Sequence, residues 1–299
     1  MSETVAIVVV TYNRADLLER MLAGLSALEH VPDAVIVVDN ATTDHTAQVL
    51  AEATTPNLQV IRTEENVGGA GGFHRGVRSA YDQGFDRIWL MDDDVVPAPD
   101  CLSVLMAADE DCLTAVREDL EGRLVEKAAV RFDLANPLAL KPKTAMVETE
   151  YGERSRMPER VEVENVAFEG FMVRRRVVER IGLPDPSYFI FYDDVDFALR
   201  ARRAGWRIWA LREAVLVRQL PFDQQHDLSG WKGYYMYRNL FAVHFRYGEN
   251  RAVRLKPWLL TAAVVLLSPL RGGRGEALNV IRALRSARGM RTPPVASVD

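Results

Sequence analysis

The first 95 residues of the chain alternate between two hydrophobic periods, and this alternation restricts the fold more than any other feature. Continuous apolar runs rich in β-branched residues are typical of strands covered on both faces, and apolar residues at helical spacing separate them. The pattern predicts strands over 5–10, 35–38, 58–61 and 87–91, with helices over 17–28, 43–53 and 71–83. Strands joined by helical crossovers pair in parallel, so we expect an α/β fold with a mostly parallel, doubly wound sheet and flanking helices.

Polar residues stand at or shortly after the carboxyl end of each of the four predicted strands. They are residues 11–14, Asp39 with Asn40, Asn66, and residues 92–94. In open parallel sheets, ligands bind outside the carboxyl ends of the strands. The sequence therefore predicts one ligand-binding crevice built from four strand ends.

Three consecutive aspartates, Asp92, Asp93 and Asp94, follow the fourth strand. Adjacent carboxylates repel one another and add nothing to packing, but alternate members of such a run can point to the same side. Asp92 and Asp94 could then gather around a divalent cation that keeps positions open for phosphate oxygens. The alternative is an acidic helix cap ahead of residues 97–100.

A glycine-rich segment, residues 65–72, follows the third strand and opens a helix. Glycine allows close backbone approach and left-handed conformations, and a helix N-terminus offers amide groups to an anion. The segment has neither the spacing nor the place of the dinucleotide-binding fingerprint. It is compatible with an anion-binding turn and with a purely structural tight turn.

A second acidic cluster, Asp193, Asp194 and Asp196, lies about 100 residues after the first and precedes a predicted helix over 197–204. One carboxylate can cap that helix, but capping does not need three. The separation of the two clusters suggests a general base kept apart from a metal.

Three further features have two interpretations each. Asp39 could accept hydrogen bonds from a base or ribose, or cap the helix expected from Thr43. His226 could ligate a metal through an imidazole nitrogen, or be solvated in a polar loop. Aromatic residues could form a sugar-stacking wall or pack in the core; they are Trp206, Trp209, Trp231, Tyr234, Tyr235 and Tyr237.

The rest of the chain is less regular. Residues 113–164 are charged and weakly periodic, which predicts a loop-rich excursion with an edge element over 125–132. Regular secondary structure is expected again over 166–174. A helix over 177–182 and closing strands over 206–209 and 214–217 are expected after it. Beyond Trp231 the pattern is mostly helical and increasingly basic.

Composition narrows the class of protein. Of the 299 residues, 48% are hydrophobic and 26% are charged, so a packed globular core is expected. The net charge of -5 does not call for a nucleic-acid partner, although residues 246–299 carry ten basic and three acidic side chains. Two cysteines, Cys101 and Cys112, are too few for a disulfide framework or a four-ligand zinc site; we expect buried thiols in a reducing compartment.

Membrane contact is expected at the C-terminal end alone. The N-terminus lacks the basic and apolar segments of a signal peptide, and no apolar run reaches the roughly 20 residues that span a bilayer, so we expect a cytoplasmic protein. Residues 258–267 are apolar and arginines follow them, which predicts attachment of 258–291 to a membrane surface, with the stretch around Val280 and Leu284 lying flat on it. The alternative is a C-terminal helix packed on the core.

Five segments, taken in order, resemble the family 2 inverting glycosyltransferases of the GT-A fold. They are VVVTYNR at 8–14, VVDNATTD at 37–44, NVGGAGG at 66–72, MDDD at 91–94 and YDDVDF at 192–197. The resemblance covers residues 5–245. The glycine-rich stretch, the triple aspartate and residues 231–239 are similar, more narrowly, to the galactofuranosyltransferases of bacterial arabinogalactan synthesis, and the short length suggests an initiating enzyme.

The resemblance implies a role for each candidate residue. Asp92 and Asp94 would ligate Mn²⁺ or Mg²⁺, and Asp194 would deprotonate the acceptor hydroxyl with Asp193 and Asp196 in support. A family polymerase has a metal-ligating histidine two residues before a proline; Gln219 holds that place before Pro221 here, so the third ligand is open between His226 and Gln219. The UDP-sugar donor would be held by Thr11, Asn13, Arg14, Asp39, Asn66, Gly68, Gly69, Gly71, Gly72 and Asp93.

The implied reaction is transfer of galactofuranose from UDP-galactofuranose to a polyprenyl-diphosphate-linked rhamnosyl-GlcNAc acceptor, at the start of cell-wall galactan synthesis. The catalytic domain would span 1–245, with a nucleotide-binding half over 1–95 and an acceptor half over 96–245. Residues 246–299 would form a helical, basic, membrane-associating region that holds the enzyme on the inner face of the plasma membrane. A homo-oligomer is compatible with the sequence.

Three other functions compete with this one. A rhamnosyltransferase that uses dTDP-rhamnose on a lipid-linked acceptor would need nearly the same motifs. A nicotinamide dehydrogenase would explain the parallel strands but not the two aspartate clusters. A non-catalytic nucleotide-sugar-binding protein would have the binding motifs but would not turn over its ligand. The presence of Asp194 argues against this function.

Overall fold

A mixed β-sheet with helices on both faces organises the protein, in a computed structural model that describes residues 3–139, 141–221, 228–268 and 274–290. The strands in those ranges are β1 (Val5–Thr11), β2 (Ala34–Asp39), β3 (Leu58–Arg62), β4 (Arg87–Asp92), β5 (Val95–Pro97), β6 (Cys112–Glu118), β7 (Ala129–Phe132), β8 (Lys143–Met146), β9 (Arg160–Val163), β10 (Phe171–Arg174) and β11 (Ile208–Arg218). The helices are α1 (Ala15–Ser26), α2 (Thr46–Glu52), α3 (Gly68–Asp82), α4 (Cys101–Ala107), α5 (Val147–Tyr151), α6 (Arg175–Ile181), α7 (Asp193–Arg203), α8 (Trp231–Tyr247), α9 (Arg251–Leu267) and α10 (Arg274–Ala287).

The four predicted N-terminal strands are confirmed, and they pair in parallel. The main sheet has the order β3-β2-β1-β4-β10-β6-β11-β5, with β9 beside β11. In the register of the parallel strands, Thr11 lies opposite Asp39 and Val10 opposite Asp92. The polar residues that follow β1, β2 and β4 therefore meet at one edge of the sheet, as parallel topology requires.

Strand β1 shows why the sheet is covered on both faces. Its alternate side chains contribute to two separate apolar layers, one with α1, α2 and α4 and the other with α3, α6 and α7. Each fully buried valine or leucine stabilises the fold by about 1.5–3 kcal/mol relative to an exposed one. Cys101 and Cys112 lie buried, and burial raises the pKa of both thiols.

The middle of the chain corrects the sequence prediction. Residues 113–164 were expected to be loop-rich, but β6 lies inside the main sheet between β10 and β11. Its charged residue Arg117 is buried because Glu126 and Glu169 face it at 2.9 and 2.5 Å. Partners so distant in sequence cannot be recognised from local periodicity.

Two smaller predictions also change. The closing strands expected over 206–209 and 214–217 are one strand, β11, with a register shift between Leu211 and Val215. The element expected over 125–132 is β7, which pairs with β8 in a separate two-stranded sheet rather than at the edge of the main one.

The C-terminal helices α8, α9 and α10 pack on one another. Phe241 of α8, Val264 of α9, and Val280, Leu284 and Ala287 of α10 form one buried cluster. The apolar face of α10, expected to lie flat on a membrane, is therefore turned toward α8 and α9, as the alternative interpretation required. Of the helices in the described ranges, none is long and apolar enough to cross a membrane.

Candidate active site

The glycine-rich turn after β3 is held by the side chain of Asn40. Its Nδ2 donates to Asn66 Oδ1 at 3.0 Å and to the Gly68 carbonyl at 3.1 Å, while its Oδ1 accepts from the Val67 amide at 2.9 Å. Asn66 Oδ1 also accepts from the Gly68 amide at 2.8 Å. These bonds fix the shape of the turn at the start of α3.

Gly68 and Gly69 have different reasons to lack a side chain. Gly68 has φ +74°, and a Cβ there would lie 2.0 Å from the carbonyl oxygen of Phe189. A Cβ at Gly69 would meet no atom of the described protein within 4 Å. Gly69 therefore borders open space at the carboxyl edge of the sheet, where a ligand can approach the backbone.

The next two glycines serve packing. A Cβ at Gly71 would lie 2.7 Å from the Val67 side chain, and one at Gly72 would lie 2.5 Å from Val10. Both glycines are buried; Gly72 lets α3 approach β1 closely, and Gly71 makes room for Val67 just before α3. The structure thus gives Gly71 and Gly72 a packing role beside the ligand contact expected from the sequence.

The turn after β1 binds the middle aspartate of the triple cluster. Thr11 Oγ1 donates to Asp93 Oδ2 at 2.8 Å, and the Arg14 guanidinium donates to Asp93 Oδ1 at 2.9 Å. Arg14 also lies 3.5 Å from Asp94 Oδ2, and about half of its side chain is exposed. Burial raises the pKa of Asp93, and Arg14 opposes that shift.

Asn13 ties the first turn to the second. It has φ 52°, in the left-handed region that asparagine tolerates better than most residues. Its Oδ1 accepts from the Thr43 amide at 2.8 Å. The 11–14 turn and the 39–44 turn are therefore connected at the carboxyl edge of the sheet.

Asp39 stabilises its own turn rather than a helix end. Its Oδ1 accepts from the Thr42 amide at 2.9 Å, and Arg62 lies 3.5 Å from Oδ2. Helix α2 starts at Thr46, whose amide donates to Asp44 Oδ1 at 3.1 Å. The alternative in which Asp39 caps the next helix is therefore not what the structure shows.

Asp92 and Asp94, the predicted metal ligands, share one acidic environment. Burial raises the pKa of both, and Glu169 and their mutual repulsion add to the shift for Asp92. Asp94 Oδ1 is buried without a hydrogen-bond partner among the described residues. A buried, unpartnered carboxylate oxygen beside further acids fits a divalent cation, which would supply the missing positive charge.

Glu169 is a site residue that the sequence did not reveal. Its carboxylate binds Arg117 at 2.5 Å and Arg218 at 2.7 Å, and Arg218 also lies 3.4 Å from Asp94. Burial alone would raise the pKa of Glu169, but the two arginines lower it. The one available signal was an acidic residue directly before an apolar strand, which is weak on its own.

The metal ligands stay predictions, and the third of them has two candidates. His226 lies outside the described residues. Gln219 donates its backbone amide to the Asp94 carbonyl at 2.8 Å and its side-chain amide to the Val217 carbonyl at 3.1 Å. Within the described ranges, no three His, Cys, Asp or Glu side chains are grouped for a metal.

Asp193 and Asp194 open helix α7. Asp194 is half-buried, and its Oδ1 accepts from the Val195 amide at 2.7 Å. Burial raises the pKa of both aspartates, whereas Val195 and the Lys143 ammonium oppose the shift at Asp194. Lys143 is a second residue that the sequence did not reveal; burial lowers its own pKa.

Glu169 links the two acidic clusters electrostatically. Glu169 raises the pKa of Asp92, Asp94 and Asp194, so its charge reaches both clusters. The Ala70 amide of the glycine-rich turn donates to the Phe189 carbonyl at 3.1 Å, just before α7. Residues far apart in sequence thus converge at the carboxyl edge of the sheet.

Asp196 faces the protein interior. It is fully buried and accepts from Tyr188, Arg200, Arg246 and Tyr247 at 3.1, 2.9, 2.7 and 2.6 Å. These bonds join α7 to α8 and to the segment before α7. Asp196 therefore supports the helix that presents Asp194, and its carboxylate is occupied by the protein.

Part of the predicted aromatic wall lies beside this segment. Phe189 stacks on Tyr235 with ring centres 5.0 Å apart, and Trp231 packs edge-on against both. Trp231 is 58% exposed. Trp209 lies elsewhere, under Arg160 on β9.

Comparisons with known proteins show the family of the chain. The profile described as "Glycosyltransferase like family 2" matches residues 3–233. The chain is 30% identical over 257 residues to galactofuranosyltransferase GlfT1 of Mycolicibacterium smegmatis, covering 85% of this chain and 83% of that protein. It is 29% identical over 253 residues to GlfT1 of Mycobacterium tuberculosis, covering 80% and 81%. It is 27% identical over 228 residues to the N-acetylglucosaminyl-diphospho-decaprenol L-rhamnosyltransferase of M. tuberculosis, covering 69% and 73%.

Solved structures give the same fold. Mannosyltransferase PcManGT from Pyrobaculum calidifontis, in complex with GDP-Man and Mn²⁺, superposes with a TM-score of 0.57 at 19% identity, covering 97% of this chain and 87% of that one. S. aureus TarS 1-349 in complex with UDP-GlcNAc gives 0.56 at 17%, covering 96% and 88%. The GT-A type of α/β fold expected from the sequence is confirmed. Because the family profile spans most of the chain and includes both acidic clusters, the protein belongs to the glycosyltransferase-like family 2.

Proposed function

We propose that this glycosyltransferase moves galactofuranose from UDP-galactofuranose to a polyprenyl-diphosphate-linked rhamnosyl-GlcNAc acceptor, with inversion and with Mn²⁺ or Mg²⁺. The reaction type is supported by two observations: the glycine-rich turn bonds the segment before α7, and Glu169 lies close enough to Asp92, Asp94 and Asp194 to raise the pKa of each. The choice of sugar is supported by the similarity to GlfT1 over more than four fifths of the chain.

The donor would lie across the carboxyl ends of β1, β2 and β3. Thr11, Asn13, Arg14 and Asp39 line the turns that would receive the uridine. Asn66, Gly68 and Gly69 form the turn that would receive the sugar and diphosphate, because Gly69 borders open space and α3 begins there. Asp93 holds Arg14 in place at 2.9 Å.

Asp92 and Asp94 would hold the cation, with a third ligand from Gln219, His226 or water. When bound, the cation neutralises charge on the diphosphate leaving group. The chain contributes Arg14 and Arg218, which lie 3.5 and 3.4 Å from Asp94 and keep its carboxylate oriented.

Asp194 would act as the general base. Its half-buried carboxylate has a raised pKa, which makes it a stronger proton acceptor than an exposed aspartate. It would take the acceptor hydroxyl proton while that oxygen attacks the anomeric carbon and the nucleotide diphosphate leaves from the opposite face. Asp193 lies directly beside it, and Asp196 anchors the same helix.

The acceptor side would include the aromatic cluster of Phe189, Trp231 and Tyr235, in which Trp231 is exposed and the other two are half-buried. Sugar rings present C–H faces that pack on aromatic rings, and Trp231, at the start of α8, is 58% exposed. A Trp231→Ala change should therefore raise the acceptor KM more than the donor KM.

Membrane attachment would use α9 rather than α10. Leu255, Trp258, Leu259 and Leu266 recur at helical spacing along α9 and are 55%, 41%, 66% and 77% exposed. Arg288 lies over the Trp258 ring at 5.4 Å, so positive charge stands beside the apolar face. Such a face can enter the headgroup region of an anionic bilayer, which would place the enzyme on the inner face of the plasma membrane near a lipid-linked acceptor.

Point variants test this attachment better than truncation, because α9 and α10 share a buried cluster with α8. Leu259→Glu combined with Leu266→Glu should abolish sedimentation with liposomes of phosphatidylglycerol and phosphatidylcholine. The matched control is Val31→Glu, since Val31 is 56% exposed and lies before β2, away from α9. Equal sedimentation of the double variant and the control would refute the role of α9.

The substrates are tested by a donor panel. UDP-galactofuranose, UDP-galactopyranose, UDP-GlcNAc and dTDP-rhamnose are each offered with synthetic lipid-linked GlcNAc and rhamnosyl-GlcNAc acceptors, and products are identified by mass spectrometry. The proposal predicts product with UDP-galactofuranose and the rhamnosyl acceptor. Product with dTDP-rhamnose on the GlcNAc acceptor would favour the rhamnosyltransferase, which the 27% identity to such an enzyme makes the second candidate.

A further inference from the structure

The segment that leads into α7 has an unusual backbone. Phe189, Phe191 and Tyr192 have φ 62°, 65° and 68°, in the left-handed region that bulky side chains avoid. Asp193 starts α7 immediately afterwards, so the backbone at Tyr192 decides where Asp194 is presented. Such conformations persist only where surrounding groups hold them.

Asn239 of α8 holds this segment through its carbonyls. The side chain is fully buried, and its Nδ2 lies 2.9 Å from the Tyr188 oxygen, 2.7 Å from Ile190 and 2.9 Å from Phe191. All three neighbours are acceptors, so the amide must turn its N–H groups toward them. The three carbonyls lie among the left-handed residues, which Asn239 therefore fixes directly.

Arg238 keeps the Asn239 amide in that orientation. Its Nε donates to Asn239 Oδ1 at 2.8 Å, and its guanidinium also donates to the carbonyls of Ser187 and Tyr188 at 2.7 Å each. The oxygen and the nitrogen of the amide thus both have partners. Rotation of the amide would break bonds on both sides.

The same segment contacts the glycine-rich turn on its other side. The Phe189 carbonyl accepts from the Ala70 amide at 3.1 Å, and Gly68 packs against that carbonyl. The backbone between Asn239 and the turn is therefore held from two directions. This joins the place where the donor would bind to the place where Asp194 is presented.

We propose that Asn239 is a positioning residue for glycosyl transfer. Through the carbonyls of residues 188–191 it fixes Asp194 relative to the donor-binding turn, and this role rests on the proposed function in which Asp194 is the base. Asn239 binds the loop carbonyls and Arg238 and none of the residues assigned to the donor, so its loss should lower turnover and leave donor affinity nearly unchanged.

Asn239→Leu and Asn239→Asp test the role, because both are close in size to asparagine, leucine cannot donate, and aspartate donates at most one hydrogen bond, when protonated. Transfer from UDP-galactofuranose to the synthetic rhamnosyl acceptor should show kcat at least about tenfold lower, since small misplacements of reacting groups are costly. The UDP dissociation constant, measured by calorimetry, should stay within about threefold. Hydrogen exchange should accelerate in residues 186–194. Wild-type kcat in a folded variant overturns the proposal.

Asn279 of α10 supplies a matched control. Its Nδ2 donates to the carbonyls of Leu228, Ser229 and Gly230 at 3.0, 2.9 and 2.8 Å, so it makes a similar set of bonds to a different segment. Asn279→Leu should keep kcat at saturating acceptor within about threefold and accelerate exchange only around residues 228–233, where loosening of Trp231 would raise the acceptor KM instead. An equal loss of kcat in this control overturns the specific role of Asn239.

Arg238→Met decides the question if the Asn239 variants do not fold, because Arg238 is only half-buried. A lower kcat with unchanged UDP affinity supports the proposal, and an unchanged kcat overturns it. Asp194→Asn separates the two proposals. If Asp194→Asn retains turnover, both the base assignment and the positioning role are overturned. If Asp194→Asn loses turnover but the folded Asn239 variants retain it, only the positioning role is overturned.

Discussion

Replacing Asp196 by asparagine should destabilise the protein without removing a reacting group. Asp196 is fully buried and accepts hydrogen bonds from Tyr188, Arg200, Arg246 and Tyr247. An asparagine accepts hydrogen bonds at one oxygen only and carries no charge. The positive charges of Arg200 and Arg246 therefore lose the negative charge that balances them in the protein interior. Removing one partner of a buried ion pair costs about 3–5 kcal/mol.

The lower end of that range applies here because Arg246 also binds Asp185, at 2.9 Å. A loss of about 3 kcal/mol corresponds to a fall in Tm of about 6 °C at roughly 2 °C per kcal/mol for a chain of this size. Thermal and urea unfolding, followed by circular dichroism, measure both quantities at pH 7.

Asp194→Asn is the matched comparison. Burial raises the pKa of Asp194, so the folded state disfavours its charged form, and a neutral isostere removes that penalty at neutral pH. Its Tm should equal or exceed that of the wild type. A Tm of Asp196→Asn within about 1 °C of the wild type, or an equal fall in both variants, would refute the division of roles between the two aspartates.

The pH profile, the cation requirement and the glycine-rich turn each give a further test. Lys143 opposes the raised pKa of Asp194, so Lys143→Met should raise that pKa and move the acidic limb of kcat, where activity is lost as pH falls, to higher pH; an unmoved limb contradicts this. In calorimetry, Asp94→Ala should bind UDP at least about tenfold more weakly than the wild type in the presence of Mn²⁺, and equally well in EDTA. Equal UDP affinity of the variant and the wild type in Mn²⁺ would exclude Asp94 as a metal ligand. Gly69→Ala should weaken UDP binding without changing the Tm. Gly68→Ala should weaken UDP binding and also lower the free energy of unfolding by about 1–3 kcal/mol. Identical behaviour of the two variants would show that the turn does not face the donor.

The sheet around β1 could be predicted because its determinants are local. Continuous apolar runs and helical spacing mark β1 to β4, and parallel pairing then brings their polar carboxyl ends together. Strand β6 could not be predicted in this way. From the sequence alone, Arg117 is expected to be exposed, because its partners Glu126 and Glu169 meet it only in the folded protein.

In the candidate active site too, residues with local sequence signals could be predicted and residues that depend on tertiary contacts could not. Asp92, Asp94 and Asp194 stand out because clustered acids have no local structural purpose. The contributions of Lys143 and Asn239 depend on where β8 and α8 pack, which local patterns do not encode. Residues that support a site through tertiary contacts are therefore the ones that sequence reasoning misses.

The most direct test compares the wild type with Asp194→Asn in one transfer assay. UDP-galactofuranose, Mn²⁺ and the synthetic rhamnosyl-GlcNAc lipid are supplied to both, product is followed by mass spectrometry, and UDP affinity is measured in parallel. We predict that the wild type adds hexose to the acceptor and that the variant does so at least about a hundredfold more slowly, with UDP affinity nearly unchanged. Transfer by the variant at the wild-type rate, or no hexose transfer by the wild type, would contradict the account.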